Sequence, residues 1–210
     1  MSSLLLSKEQ LPEISKLPDG RFSFDGVTLD KENRMIEFPM IANQNHGLIE
    51  YAIVHQDGKI HESLFRTLIR PQVLHASLLL LKAKTAGEFF DDNHDENKSM
   101  ESFSKHCLQV KVRWEQNGSA NEVDMREFYY NHNNRQKRPK NKIYLMTGSR
   151  FIENTFMAEQ SGSILGVYLD RDAIINSIES DSNNDDLWLA DKSKMPPLES
   201  FVSCLLVLPN

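Results

Sequence analysis

The chain has 210 residues, enough for one domain or two small ones sharing a sheet, and its 40% hydrophobic and 26% charged residues are ordinary for a globular protein. A net charge of −6 argues against general nucleic-acid binding, which needs a basic footprint. No apolar run is long enough to span a bilayer. Leu4 to Leu6 are too short for a signal-peptide core and no basic region precedes them, so the protein is expected to be cytoplasmic or to be exported by a signal outside this chain.

Residues 1–20 read as a polar lead-in punctuated by Pro12, Pro18 and Gly20, ahead of a single domain over 21–210. Strand-like alternation follows over 21–29, 34–41, 48–55 and 59–67. Residues 71–84 form the best helix, with Pro71 in the first turn where its missing N–H is harmless. An acidic loop, EFFDDNHDENKSMES, follows Gly87. Strands resume at 107–114 and 121–130 around a turn at Asn117-Gly118, and a basic loop, NHNNRQKRPKNK, leads to strands at 142–147, 151–158 and 163–169. A short second helix over 171–178, a second acidic loop, ESDSNNDD, and strands at 187–190 and 201–208 complete the chain. Many short strands with two helices imply an α+β fold, mainly antiparallel β-sheet with one major helix. No internal repeat is visible.

Residues 47–83 hold polar side chains inside apolar runs, where each needs a partner. Asp57-Gly58 predicts a two-residue hairpin, because both turn positions of that type need positive φ. The register then pairs Val54 with His61 and Ile53 with Glu62, and it puts Glu50, His61 and Ser63 on one face with Ser63 roughly 7 Å from the other two. Three readings compete for this cluster. A serine hydrolase is disfavoured, because the histidine does not lie between Ser63 and a carboxylate and no nucleophile elbow surrounds Ser63. A zinc or iron site could draw on His61, Glu50 or Glu62, and His75. The third is a satisfied polar network that fixes register and helix docking. On the helical wheel His75 shares a narrow polar strip with Lys82, which directs it to solvent or a groove edge. Glu62, facing Ile53, Tyr51 and Leu64, is expected to pair with an arginine, Arg66 or Arg70.

Arg135, Lys137, Arg138 and Lys140 form a basic run that is expected to be exposed and mobile and offers a grip for an anionic partner. The acidic stretches 91–96 and 179–186 lack the glycine and terminal glutamate of an EF-hand. Asp170 is expected to cap a helix. Cys107 and Cys204 match no metal or redox spacing, so two buried thiols are expected, with a disulfide only if their strands are neighbours.

Glu50-Tyr51, Lys59-x-His61-Glu62-Ser63-Leu64 and the run from His75 through Leu81 together resemble the YdjY-like family of bacterial proteins. The resemblance continues through Trp114, Thr147-Gly148-Ser149 and Tyr168-x-Asp170 to the closing Pro196-Pro197 and Val202, and covers residue 22 onward. It implies no particular reaction; export is implied for many members. The ferredoxin-like label attached to the family is not supported, since two distant cysteines cannot hold an iron–sulfur cluster of the usual kind. The expected function is a non-catalytic binding or interaction domain with Glu50, His61, Glu62, Ser63 and His75 as ligand contacts. The alternative is a metal-dependent or hydrolytic enzyme using Glu50, His61, Ser63 and His75 or Glu62.

Overall fold

Alternation sets the first long strand. In Met35–Ala42, Ile36, Phe38, Met40 and Ala42 point inward and their neighbours outward. The structure is a computed structural model that describes residues 13–90, 102–135 and 137–209. The strands are β1 (Ile14–Lys16), β2 (Phe22–Phe24), β3 (Val27–Asp30), β4 (Met35–Ala42), β5 (Tyr51–His55), β6 (Ser63–Thr67), β7 (Gln109–Gln116) and β8 (Ser119–Asp124), followed by β9 (Tyr129–Asn131), β10 (Tyr144–Met146), β11 (Phe151–Ile152), β12 (Thr155–Phe156), β13 (Ser163–Gly166), β14 (Ile175–Ser177), β15 (Trp188–Ala190) and β16 (Phe201–Val207). Residues 71–80 and 157–161 form the helices labelled α1 (Pro71–Leu80) and α2 (Met157–Ser161), and residues 102–104 are helical as well.

The main ladder runs β4-β6-β5-β13-β14-β10, and the other edge of β4 pairs with β16, which pairs with β7. Leu108, just before β7, bridges Tyr144 at the start of β10. These pairings close a ring of eight strands around one hydrophobic core. The β1-β2-β3 meander extends from β4, β8 flanks β7, and α1 packs through Val73, Leu74 and Leu78. The fold is α+β with mainly antiparallel sheet, as expected.

The Asp57-Gly58 hairpin is corrected. β5 and β6 are parallel, with Tyr51 beside Ser63 and Ile53 beside Phe65, so Val54 does not meet His61 and Ile53 does not meet Glu62. Neither Asp57 nor Gly58 has positive φ, which the hairpin turn requires. Gly58 serves a close approach instead. A Cβ on Gly162 would lie 2.7 Å from Gly58 Cα, and one on Gly58 would lie 3.0 Å from the Ser161 carbonyl oxygen. Residues 56–62 return the chain to the start of β5 through a 3-10 turn at Ile60–Glu62. This link is shorter than the dozen or more residues usual for a parallel connection.

A second short link repeats the device. β13 and β14 are parallel, joined by residues 167–174. β5 and β13 lie side by side and antiparallel, and each unit has an antiparallel outer neighbour, β4 or β10. The order β4-β6-β5-β13-β14-β10 is thus quasi-symmetric, a relation the sequence does not display as a repeat.

Other boundaries moved for local reasons. The helix expected over 171–178 is absent; Ile174 to Ile178 are all buried and supply β14, as a strand covered on both faces does. The short second helix is α2, in the part expected to be strand over 151–158, where Glu153 and Asn154 at positive φ first turn the β11-β12 hairpin. α1 stops at Leu80, and Lys82 in the left-handed region ends it. The lead-in contributes β1, while residues 1–12 and most of the acidic loop after Gly87 (91–101) lie outside the described residues. Cys107 and Cys204 are both free and buried. Burial pushes the Cys107 thiol up to about 12.

Candidate functional site

The two short links meet over the first residues of β5. The Glu50 carbonyl accepts bonds from Val167 N (2.7 Å) and Tyr168 N (2.9 Å) of the second link, and its N–H donates to Glu62 O of the first (3.0 Å). Tyr51 is buried, and a buried phenol in an apolar strand needs a polar partner. It has two: its hydroxyl donates to Asp170 Oδ2 at 2.8 Å and accepts from Lys59 Nζ at 2.8 Å. Lys59 comes from the first link and Asp170 from the second, so the hydroxyl bolts the links together. Burial, followed by the Asp170 charge, raises the Tyr51 pKa well above the ordinary phenol range.

Asp170 is itself fixed. Its Oδ1 accepts from Asp172 N (2.8 Å), and its N–H donates to Asn176 Oδ1 (2.8 Å). Asn176, fully buried on β14, also donates to Thr147 Oγ1 (2.8 Å) and to the Asp170 carbonyl (2.9 Å). The expected capping role of Asp170 thus becomes the closing of a turn. Ser163 faces the Tyr51 hydroxyl, although its own hydroxyl makes no bond of acceptable geometry.

Lys59 Nζ lies 4.0 Å from Glu50 Oε2 and 3.8 Å from Glu62 Oε1, and over the Tyr51 ring at 4.9 Å. Burial, then the Glu62 charge, raises the Glu50 carboxyl above the usual range against the pull of Lys59, with Asp185 adding to the rise. His61 Nε2 is 3.6 Å from Glu62 Oε2, and its side chain is 78% exposed. Glu62 therefore pairs with Lys59 and His61. The arginines expected for it are engaged elsewhere, Arg66 with Glu199 and Arg70 with Glu159.

Of the five expected contacts, Glu50, Glu62 and His61 gather with Lys59 in one polar cluster. Ser63 lies beneath it, completely buried, with its hydroxyl donating to the Lys59 carbonyl at 2.6 Å. His75 is elsewhere. It sits half-buried at the edge of a 360 Å³ cleft with Phe151, Phe156 and Glu159, its ring centroid 5.1 Å from that of Phe156. Desolvation lowers its pKa. The groove-edge position is the one its helical wheel implied. Among the described residues no three His, Cys, Asp or Glu side chains come together in a way that could hold a metal ion.

The basic loop differs from its expectation. Lys137 pairs with Asp181 at 2.7 Å, Arg138 with Asp191, and Lys140 with Glu179 at 3.5 Å. Arg138 also donates to the Glu127 and Tyr129 carbonyls, and Arg135 and Arg138 lie over the Tyr130 ring. Its charges neutralise carboxylates of the second acidic loop and its neighbourhood, so the loop is pinned.

Among the described residues no helix is long and apolar enough to cross a membrane. No curated protein and no solved structure matches the chain. Residues 27–203, which carry β3 through the start of β16 and the whole Tyr51 cluster, match the model of the YdjY domain, and the chain belongs to that family.

Proposed function

We propose that this YdjY domain is a non-catalytic binding module that presents Glu50, Glu62 and His61 to a ligand carrying a cationic nitrogen. The observation that carries this reading is that the hydroxyls of the cluster are already committed. Ser63 is buried and bonded to the Lys59 carbonyl, and Tyr51 is held between Lys59 and Asp170 in its protonated form. A nucleophile needs a neighbouring base and a free approach to the substrate; neither hydroxyl has both. The charged groups beside these hydroxyls are two partly exposed carboxylates, Glu50 and Glu62, and one lysine, Lys59, with Asp185 adding to the negative field at Glu50. Such a set favours a positive group.

Three measurements on the full chain test the reading. A fluorophosphonate probe should leave Ser63 unlabelled, and elemental analysis should find no stoichiometric metal. Titration with an alkylammonium ion should shift the amides around Glu50 and Glu62, and Glu62→Gln should abolish the shift. Labelling of Ser63, or a bound metal that His61→Ala loses, would move the domain into the enzyme class.

A further inference from the structure

Beyond the end of α1 one cleft is lined by cations and, among the described residues, by no carboxylate. This cleft of 360 Å³ is lined by Arg34, Lys82, Lys84, Lys105 and His106, with Ala83, Leu108, Met146 and Pro209 as its apolar floor. The five come from the β3-β4 turn, the end of α1 and the segment before β7. Lys84 Nζ lies 3.3 Å from His106 Nε2, so a charged amine donates to a neutral imidazole. Burial and then the Lys84 and Lys105 charges hold His106 below its usual range, against a weaker pull from Glu88. Among the described residues no carboxylate lies within 4.0 Å of Lys82, Lys84 or Lys105, in a chain whose net charge is −6.

The backbone adds an independent observation. Lys82 (φ 58°) and Arg34 (φ 50°) both occupy the left-handed region, where glycine or asparagine is the unstrained choice. Lys142 (φ 57°) does too, and it lines an adjoining cleft of 620 Å³ with Asn33, Gln109, Asn141 and the Arg126–Asp124 ion pair. The two clefts share Leu108 and Pro209. The cationic side chains among the described non-glycine residues of positive φ are these three, and all face the paired clefts. Strain retained at a surface marks positions where the side chain matters more than local comfort. The C-terminal end of α1 accounts for one nearby cation through its dipole, but not for Arg34, Lys105 and His106, which arrive from other elements.

We propose that this cleft binds a polyvalent oxyanion of the phosphate class, with Lys82, Lys84 and Lys105 as charge partners, Arg34 as a hydrogen-bonding fork and His106 as a donor once the anion raises its proton affinity. The Arg34 Nε is already used on the Pro209 carbonyl at 3.0 Å, which aims the rest of the guanidinium. The inference goes beyond the reading of the Tyr51 cluster and uses none of its residues, so either can fail alone. The full chain would be titrated with inorganic phosphate at constant ionic strength made up with chloride, and followed by amide and imidazole resonances. Saturable shifts confined to Lys82 to Lys84, Lys105, His106 and Arg34 are expected, with a rise in the His106 pKa when phosphate is bound. The pair Lys84→Met and Lys105→Met should weaken binding at least tenfold. Lys82→Gly should weaken it too while melting no lower than the parent, which separates lost charge from lost fold. A sugar phosphate in place of the ion distinguishes the source: tighter binding, with shifts at Asn141 and Lys142, assigns the larger cleft to an ester's organic part, and equal binding assigns the free ion. Non-saturating shifts spread over unrelated lysines, or parental affinity in the double variant, would overturn the proposal.

Discussion

The loop at 131–142 and the cleft beside α1 are both rich in lysine and arginine, and the fold treats them in opposite ways. In the loop Lys137, Arg138 and Lys140 each meet a carboxylate. In the cleft Lys82, Lys84 and Lys105 meet none among the described residues, and Lys84 leans on a histidine instead. Within the run that stood out in sequence Lys137, Arg138 and Lys140 are therefore structural, whereas the cations of the cleft come from three segments and form no run at all. A cluster of like charge costs self-repulsion unless something of opposite charge relieves it. That asymmetry separates charge used for holding the fold from charge left for a partner.

The largest expected effect lies on the structural side. Asp191 is 3% exposed and binds Arg138, whose other bonds go to backbone carbonyls. Asp191→Ala leaves that arginine partly buried and uncompensated and should lower stability by about 3 kcal/mol, read in a urea melt. Burial pushes the Asp191 carboxyl up, but the bonds from Arg138 and Ser193 outweigh it and hold it below its ordinary value of 3.8. Its contribution is therefore complete above pH 3.8 and is lost as pH falls through the lower folded value.

Next in size is the bolt between the links. Tyr51→Phe removes the hydroxyl shared by Lys59 and Asp170 and should cost about 2 kcal/mol. If Tyr51 were instead an exposed reactive group, its removal would leave the melting curve unchanged.

Smaller effects follow from two titrating groups. Glu50 has a raised pKa, so its protonated form favours the fold; the contribution is complete below its ordinary 4.5 and is lost as pH rises through the folded value. Glu50→Gln should accordingly raise the melting temperature at neutral pH. His75 has a lowered pKa, so stability holds above 6.5 and declines as pH falls below it. His75→Gln should flatten that acid limb, which a melting series from pH 7 to 5 would read. Smallest of all is the exposed Lys137–Asp181 pair. Lys137→Ala should change stability by less than about 1 kcal/mol, and added salt should shrink the difference further.

The fold class, the alternating β4, the apolar closing strand β16 and the start of α1 were legible because each rests on a pattern within one segment. The parallel pairing of β5 with β6 was not, because it depends on Gly58 meeting Gly162, a contact between distant parts of the chain. Local chemistry at Asp57-Gly58 pointed to a hairpin, and the close approach of two glycines overrode it. The site was half legible for the same reason. Glu50 and Glu62 were singled out as polar groups in apolar runs and do flank one lysine, Lys59. The Tyr51 to Asp170 bond spans 119 residues and could not be placed from spacing. The available signal was that a tyrosine inside an apolar strand must find a partner for its hydroxyl.

The most direct test of the division between structural and available charge is calorimetry of two variants side by side. One is Arg138→Met in the loop; the other is the pair Lys84→Met and Lys105→Met in the cleft. The loop variant should melt several degrees lower, about 2–4 °C for each kcal/mol lost in a domain of this size. The cleft variant should melt at or slightly above the parent, since it removes repulsion and breaks no ion pair among the described residues. A cleft variant that melts as far below the parent as the loop variant would show that those lysines hold the fold together, and would contradict the account.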